Sequence, residues 1–150
     1  MKIFSPDLIK LSYYALDKKS CLSEMADFLF EKGIINSLEE FLNSIFEREK
    51  LMSTGIGRNV AIPHARSDTV KELKIAVYIL DNELDFNSID GEPVKIIFMI
   101  AVPGNMKEEY MNVLSVISNF FRMEENRRKL LESTSEKEIY NILRGISDEI

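Results

Sequence analysis

His64 is the only histidine of the 150-residue chain, and its surroundings contain several groups suited to the chemistry of anions. Arg48 and the hydroxyl- and glycine-rich segment 53–57 lie upstream of it, and Pro63 immediately precedes it. Imidazole can change its protonation state or carry a covalently bound group near neutral pH. A lone histidine is more often a hydrogen-bonded structural residue, so the neighbouring residues decide which interpretation is favoured.

The neighbours of His64 offer charge and hydrogen bonds to an oxyanion. The guanidinium of Arg48 is a permanently charged, planar group that matches the spacing of phosphate oxygens. Ser53 and Thr54 supply hydroxyls, and Gly55 belongs to a glycine-rich stretch whose backbone N–H groups can converge on an anion. Taken singly, these residues also fit a solvated arginine and an ordinary turn. Taken together, they predict a nucleophilic histidine with groups that stabilise a phosphoryl group.

Other chemistries of histidine fit the sequence less well. A zinc site needs roughly three or four protein ligands, whereas the chain has one histidine and one distant cysteine, Cys21. Neither a P-loop nor a Gly-x-Ser-x-Gly motif is present. We therefore predict that the protein uses no metal and no cofactor. Cys21 lies in an apolar helical pattern and is predicted to be a small buried hydrophobe.

Length and composition favour one domain over residues 1–150, with a core of ordinary size. The net charge of −6 argues against nucleic-acid binding, which depends on an excess of lysine and arginine. No apolar run approaches the roughly 18 residues that cross a bilayer, and the first residues lack the apolar stretch of a signal peptide. We therefore expect a cytoplasmic protein that is not embedded in a membrane.

The apolar periodicity predicts helices alternating with buried strands. Helices are expected at about 19–32, 37–50, 107–121 and 124–132, and again after Ser135; Ser37 and Ser135 each begin a capping box. Near-continuous apolar runs at 75–80 and 94–102 are typical of strands covered on both faces, and shorter strands are expected at 9–14 and 60–62. This order indicates an α/β fold with one sheet flanked by helices on both faces, and with binding sites at strand ends. Glu49 is expected in the last turn of the 37–50 helix. A negative charge is slightly unfavourable there, because the helix dipole places partial negative charge at the C-terminal end.

Several motifs, in the same order along nearly the whole chain, resemble one family. They are Arg48-Glu49, Ser53-Thr54-Gly55-Ile56-Gly57, Ala61-Ile62-Pro63-His64, Asp90-Gly91-Glu92-Pro93-Val94 and Phe98-Met99-Ile100-Ala101-Val102-Pro103. This pattern is similar to the fructose/mannitol-type enzyme IIA domain of the bacterial phosphoenolpyruvate-dependent sugar phosphotransferase system. The resemblance implies one IIA-like domain with a mixed sheet between helices.

The resemblance also implies a phosphotransferase reaction. His64 would accept a phosphoryl group from a phosphorylated histidine-containing phosphocarrier protein and pass it to a sugar-specific IIB component. Arg48 would lie beside the phosphoryl group, with Ser53, Thr54 and Gly55 in support. Association with a membrane IIC complex is left open.

Tyr110 departs from the family pattern. Family members often carry a second histidine at this point, near the start of a helix. A phenol can still donate a hydrogen bond to a phosphoryl oxygen, but it does not become cationic near neutral pH. Its alternative role is that of a core aromatic residue, and the sequence leaves both roles open.

Three functions follow from these observations. The first is a phosphocarrier in sugar uptake, and the second is a regulatory protein, similar to the nitrogen-related IIA branch, whose phosphorylation controls binding to another protein. The third is a degenerate domain that serves as an interaction module. The replacement at Tyr110 leaves acceptance of a phosphoryl group by His64 possible, but it bears on the transfer rate and on the choice between the branches.

Overall fold

A mixed six-stranded β-sheet organises the computed structural model, which describes residues 2–150 and their side chains except those of residues 147–149. The strands lie in the order β1-β5-β6-β3-β2, and β4 also pairs with β6. Their bounds are β1 (Ile9–Tyr13), β2 (Gly55–Gly57), β3 (Val60–Ala61), β4 (His64–Ser67), β5 (Lys74–Leu84) and β6 (Val94–Pro103).

Strand β6 lies at the centre and determines where β4 begins. It pairs antiparallel with β5 on one side. On the other side it pairs in parallel first with β3 and then with β4, where His64 lies opposite Ile100. Strands β3 and β4 therefore form one interrupted line along β6. The interruption falls at Ile62-Pro63, where proline has no N–H group to donate to a ladder.

Five α-helices are present among the described residues: α1 (Lys18–Glu31), α2 (Leu38–Leu51), α3 (Lys107–Arg122), α4 (Glu124–Glu132) and α5 (Glu136–Leu143). The side chains of Ser37 and Ser135 accept hydrogen bonds from the backbone N–H groups three residues later, which confirms both serines as N-caps. The reciprocal bonds of a capping box do not form as predicted: the N–H of Ser37 donates to Thr69, and Glu138 accepts from the N–H of Thr134. No helix in the described part of the chain is long and apolar enough to span a membrane.

The two faces of the sheet bury separate cores because side chains alternate along its strands. Ala76, Tyr78 and Leu80 of β5 pack on the side of α1 and α2. The alternate residues of β5 face α3, α4 and α5. The predicted α/β fold, with helices on both faces of one sheet, is therefore confirmed. Cys21 is wholly buried on the α1 side, as predicted.

Two strands were not expected from the sequence. β2 is short and glycine-rich, and the turn that joins it to β3 consists of Arg58 and Asn59 with φ of 58° and 69°. Two left-handed residues form the turn that suits a tight hairpin, but Asn-Gly is its usual signal and is absent here. β4 reads His-Ala-Arg-Ser and lacks an apolar run. Ile146, expected in the last helical stripe, instead lies in a 3-10 helix, Arg144–Glu149, and still packs against the core.

Candidate active site

His64 begins β4 directly after the Ile62-Pro63 interruption, and its side chain is 7% exposed. Its Nδ1 lies 2.6 Å from the carbonyl oxygen of Ile62. Its Nε2 lies 3.2 Å from Nε of Arg48. A carbonyl can only accept a hydrogen bond and a guanidinium can only donate one. Both contacts therefore require the tautomer with the proton on Nδ1 and the lone pair on Nε2.

Arg48 approaches this lone pair from the last turn of α2. Its Nη1 donates a hydrogen bond of 2.8 Å to the carbonyl oxygen of Met52, just beyond the end of the helix. This second contact anchors the guanidinium at the helix C-terminus, where a cation is favoured by the helix dipole. The structure thus brings together Arg48 and His64, the two residues predicted to carry the chemistry.

The surroundings keep the imidazole neutral near pH 7. Burial lowers the pKa of His64 below its ordinary value, because burial penalises the charged form. The neighbouring Arg48 cation acts in the same direction on this pKa, while the Ile62 carbonyl and Glu49 oppose it. A neutral imidazole with an available Nε2 lone pair is the form that can act as a nucleophile.

Tyr110, in the first turn of α3, contacts His64 at the start of β4. The two rings meet edge to face, with centroids 5.8 Å apart and planes inclined by 62°. Tyr110 is half-buried and also packs against the core on the α3 side of the sheet. Burial raises the pKa of Tyr110, so its hydroxyl remains protonated at neutral pH and can donate a hydrogen bond. The two roles that the sequence left open are therefore compatible.

Ser53, Thr54 and Gly55 form a tightly bonded segment beside the site. The N–H and hydroxyl of Thr54 donate to the two carboxylate oxygens of Glu49, at 2.8 and 2.7 Å. The Ser53 hydroxyl donates to the carbonyl of Phe86 at 2.7 Å and accepts from the N–H of Gly55 at 3.1 Å. These groups are thus engaged within the chain. Their direct contact with a phosphoryl group stays a prediction.

Glu49 and Lys18 also lie beside the site, although neither was predicted to have a role in it. The Glu49 side chain is only 7% exposed, and Nζ of Lys18, in the first turn of α1, lies 3.0 Å from its carboxylate. Lys18 also donates to the carbonyl of Phe86 at 3.1 Å. Two signals pointed to Glu49: its position in the last turn of a helix, against the dipole, and its place in the Arg48-Glu49 motif of the family. Nothing in the sequence pointed to Lys18.

The site offers no evident place for a metal ion. Among the described residues, no group of three or more histidine, cysteine, aspartate or glutamate side chains is arranged to hold one. The groups around His64 are an arginine, a tyrosine and backbone carbonyls. Of these, the guanidinium of Arg48 and the hydroxyl of Tyr110 can donate hydrogen bonds, which suits a covalently bound anion.

Residues 2–145 match the family model described as "Phosphoenolpyruvate-dependent sugar phosphotransferase system, EIIA 2". The chain belongs to this family. The match extends over the whole sheet and all five helices, so the family resemblance seen in the motifs is confirmed. It includes His64, Arg48 and Tyr110, the three side chains that meet at the start of β4.

Relatives in the family carry two kinds of name, fructose-specific component and nitrogen regulatory protein. The chain is 33% identical over 142 residues to a fructose-specific EIIABC component of Bacillus subtilis, covering 95% of this chain but only 22% of that much longer protein. It is 31% identical to a fructose-specific EIIA component of Haloferax volcanii, covering 91% and 89% of the two chains. The crystal structure of the nitrogen regulatory protein IIA-Ntr from Neisseria meningitidis superposes with a TM-score of 0.88 at 34% identity, covering 94% and 96%.

The depressed pKa of His64 predicts how stability depends on pH. Because the pKa of His64 is lower in the folded protein than the ordinary value of 6.5, the unfolded chain binds protons more readily. The free energy of unfolding should therefore fall as the pH drops below about 6.5, and this contribution should be fully present at neutral pH. Chemical denaturation of the protein and of His64→Gln between about pH 5 and pH 8 measures it. A stability difference between the two proteins that is independent of pH would contradict the prediction.

Proposed function

We propose that the protein is a phosphocarrier whose His64 accepts a phosphoryl group from a phosphorylated histidine-containing phosphocarrier protein. It then passes the group to a sugar-specific IIB component during sugar uptake. The observation that supports this most is the neutral, nearly buried imidazole whose Nε2 lone pair faces the Arg48 guanidinium. Within this proposal, residues 1–150 act as one cytoplasmic IIA-like domain without a cofactor.

The tautomer of His64 determines which of its ring nitrogens attacks the phosphorus. Nε2 of His64 attacks the phosphorus while the P–N bond of the donor breaks, and its electron pair returns to the donor imidazole. The proton on Nδ1 stays in its bond to the Ile62 carbonyl and keeps the ring oriented. The ring thereby gains one positive charge, which is offset by the negative charge of the phosphoryl group bonded to it. The new phosphoryl group takes the place that Nε of Arg48 occupies, so the guanidinium shifts to the phosphoryl oxygens. There it neutralises developing charge, which is the main protein contribution in phosphoryl transfer.

Exposed apolar side chains beside the site supply a surface for protein partners. Leu51, Met52 and Met111 are 80%, 62% and 68% exposed. Leu51 and Met52 follow the turn that carries Arg48, and Met111 follows Tyr110. Methionine-rich apolar surfaces adapt to more than one partner. We assign to this surface the docking of both the phosphoryl donor and the IIB acceptor.

A regulatory role is the second candidate, favoured by the likeness to the Neisseria meningitidis nitrogen regulatory protein. Phosphorylation of His64 would introduce a phosphoryl group that carries about −1.5 to −2 charges, by analogy with other phosphoryl groups. That charge would arise next to exposed apolar residues and change their affinity for a partner. In this role the phosphorylated state controls binding to another protein and is not passed on to a IIB component.

Reconstitution with purified components tests the proposal. The protein is mixed with phosphoenolpyruvate, enzyme I and the histidine-containing phosphocarrier protein, and its mass is measured. One acid-labile gain of about 80 Da, the mass of a phosphoryl group, is expected. Loss of this gain on adding a IIB component supports the transport role, and retention supports the regulatory role. No gain under conditions that phosphorylate a known IIA domain would contradict both roles.

Tyr110→His is expected to increase the rate of phosphoryl transfer. The substitution restores the second histidine that is common in the family, at a position in ring contact with His64. A histidine there can carry a positive charge or a proton, which the phenol cannot do near neutral pH. Tyr110→Phe is the matched control, since it retains the ring packing and removes only the hydroxyl. A rate for Tyr110→His no higher than that of the unaltered protein, in a stably folded variant, would contradict the prediction.

A further inference from the structure

We infer that Lys18 and Glu49 are positioning residues for His64: their ion pair holds the peptide that keeps the imidazole proton on Nδ1. The effect of this pair on transfer rate rests on the proposed function. Its effect on the tautomer of His64 does not, because the tautomer is a property of the unphosphorylated protein. The pair reaches His64 through a continuous series of hydrogen bonds.

The first step in the series is the contact between Glu49 and Thr54. The carboxylate accepts from both the N–H and the hydroxyl of Thr54, at 2.8 and 2.7 Å. Thr54 is itself 2% exposed, so water does not compete freely for these bonds. A charged acceptor with two donors from one residue fixes the orientation of that residue. Glu49 therefore fixes the position of Thr54, the residue whose carbonyl makes the next bond in the series.

The second step leads from Thr54 to the imidazole. The carbonyl of Thr54 accepts from the N–H of Ile62 at 2.9 Å. The carbonyl of Ile62 in turn accepts from Nδ1 of His64 at 2.6 Å. Ile62 lies at the interruption between β3 and β4, where the sheet ladder does not hold it in the regular way. Its bond to Thr54 extends the β2–β3 pairing by one residue beyond Gly55 and Ala61. This bond fixes the carbonyl that, together with Arg48 at Nε2, selects the tautomer of His64.

Lys18 stabilises the negative charge of the Glu49 carboxylate and holds the carboxylate in position. Its ammonium lies 3.0 Å from Glu49 and donates to the carbonyl of Phe86 at 3.1 Å, the same carbonyl that accepts from Ser53. One lysine thus ties α1 to the anchors of both Ser53 and Thr54. Without it, a carboxylate that is only 7% exposed would lose its cation. A nearly buried charge without a partner is costly, and the segment is expected to rearrange to hydrate it.

Nitrogen NMR of His64 tests the inference without any phosphoryl transfer. Because His64 is the only histidine, ¹⁵N shifts of the labelled imidazole report its tautomer without ambiguity. We expect the Nδ1–H form to predominate in the unaltered protein, and Lys18→Met to give a mixture with a substantial Nε2–H population. The matched control is Lys10→Met, which removes another lysine–glutamate pair: Lys10 of β1 lies 2.9 Å from Glu24 in the middle of α1. The control should keep the tautomer of the unaltered protein.

Rates and a second pair of variants complete the test. Lys18→Met should slow phosphoryl acceptance about tenfold, because a misplaced nucleophile loses its attack geometry. Lys18→Arg should restore most of the rate, and the effects of Lys18→Met and Glu49→Gln should be less than additive if the pair acts as a unit. If Lys18→Met does not fold, the tautomer in Glu49→Gln and Glu49→Ala carries the test. An unchanged tautomer in a folded Lys18→Met or Glu49→Ala protein would overturn the inference. An altered tautomer, with no phosphorylation of the unaltered protein, would instead overturn the proposed function and leave the inference standing.

Discussion

Substitution of His64 by glutamine is expected to abolish acid-labile phosphorylation while leaving the fold intact. Glutamine has about the size of histidine, and its amide lies near the position of Nε2, where the amide oxygen can accept a hydrogen bond from Arg48. It has no nitrogen lone pair that can attack phosphorus. The expected loss is complete, because no other histidine in the chain can take over the role. Mass measurement after incubation with phosphoenolpyruvate, enzyme I and the phosphocarrier protein gives the result.

Two controls make this result decisive. Circular dichroism and thermal unfolding of His64→Gln should show a folded protein, which separates lost chemistry from lost structure. Tyr110→Phe, whose altered side chain also touches the site, should still be phosphorylated. Full phosphorylation of His64→Gln would place the accepting group elsewhere and contradict the account.

Arg48→Ala is expected to slow phosphoryl acceptance by roughly 10²-fold, the cost of removing one preorganised donor to developing charge. The guanidinium is held at Nε2 of His64 by its own bond to the Met52 carbonyl, so no reorganisation of distant residues is needed to bring it to the phosphoryl group. Arg48→Lys should recover only part of the rate, since an ammonium lacks the planar pair of donors. Rapid-quench measurement of a single phosphoryl transfer determines each rate.

The control for Arg48 is another arginine in the last turn of a helix. Arg122 is exposed in the last turn of α3, at the end of that helix farthest from Tyr110. Arg122→Ala should transfer at the rate of the unaltered protein. Equal rates for Arg48→Ala and the unaltered protein would show that the contact between Arg48 and His64 has no part in transfer.

Much of the fold was predictable because its elements have strong local signals. The helices carry apolar stripes and serine caps, and β5 and β6 are long apolar runs buried on both faces. Strands β2 and β4 were missed because their sequences have no such signal. β4 is polar, and it forms because β6 provides hydrogen-bond partners beyond the Pro63 interruption. This pairing joins segments that are distant in sequence, so the residues of β4 alone do not predict it.

The site was predictable in its residue types but not in its connections. His64 and Arg48 could be selected because an imidazole and a guanidinium suit phosphoryl chemistry, and the structure places them in contact. The tautomer of His64 depends on which atoms face its two ring nitrogens, and only the fold shows that these are the Ile62 carbonyl at Nδ1 and the Arg48 guanidinium at Nε2. Lys18 could not be found from sequence, because its partners, Glu49 and Phe86, belong to segments far along the chain.

The position of the phosphoryl group on the ring tests the central claim most directly. The ¹⁵N-labelled protein is phosphorylated by phosphoenolpyruvate, enzyme I and the phosphocarrier protein, and His64 is observed by ³¹P and ¹⁵N NMR. We predict one phosphoryl group on Nε2, with the proton retained on Nδ1 and bonded to the Ile62 carbonyl. A phosphoryl group on Nδ1 or on another residue, or none where a known IIA domain is phosphorylated, would contradict the account.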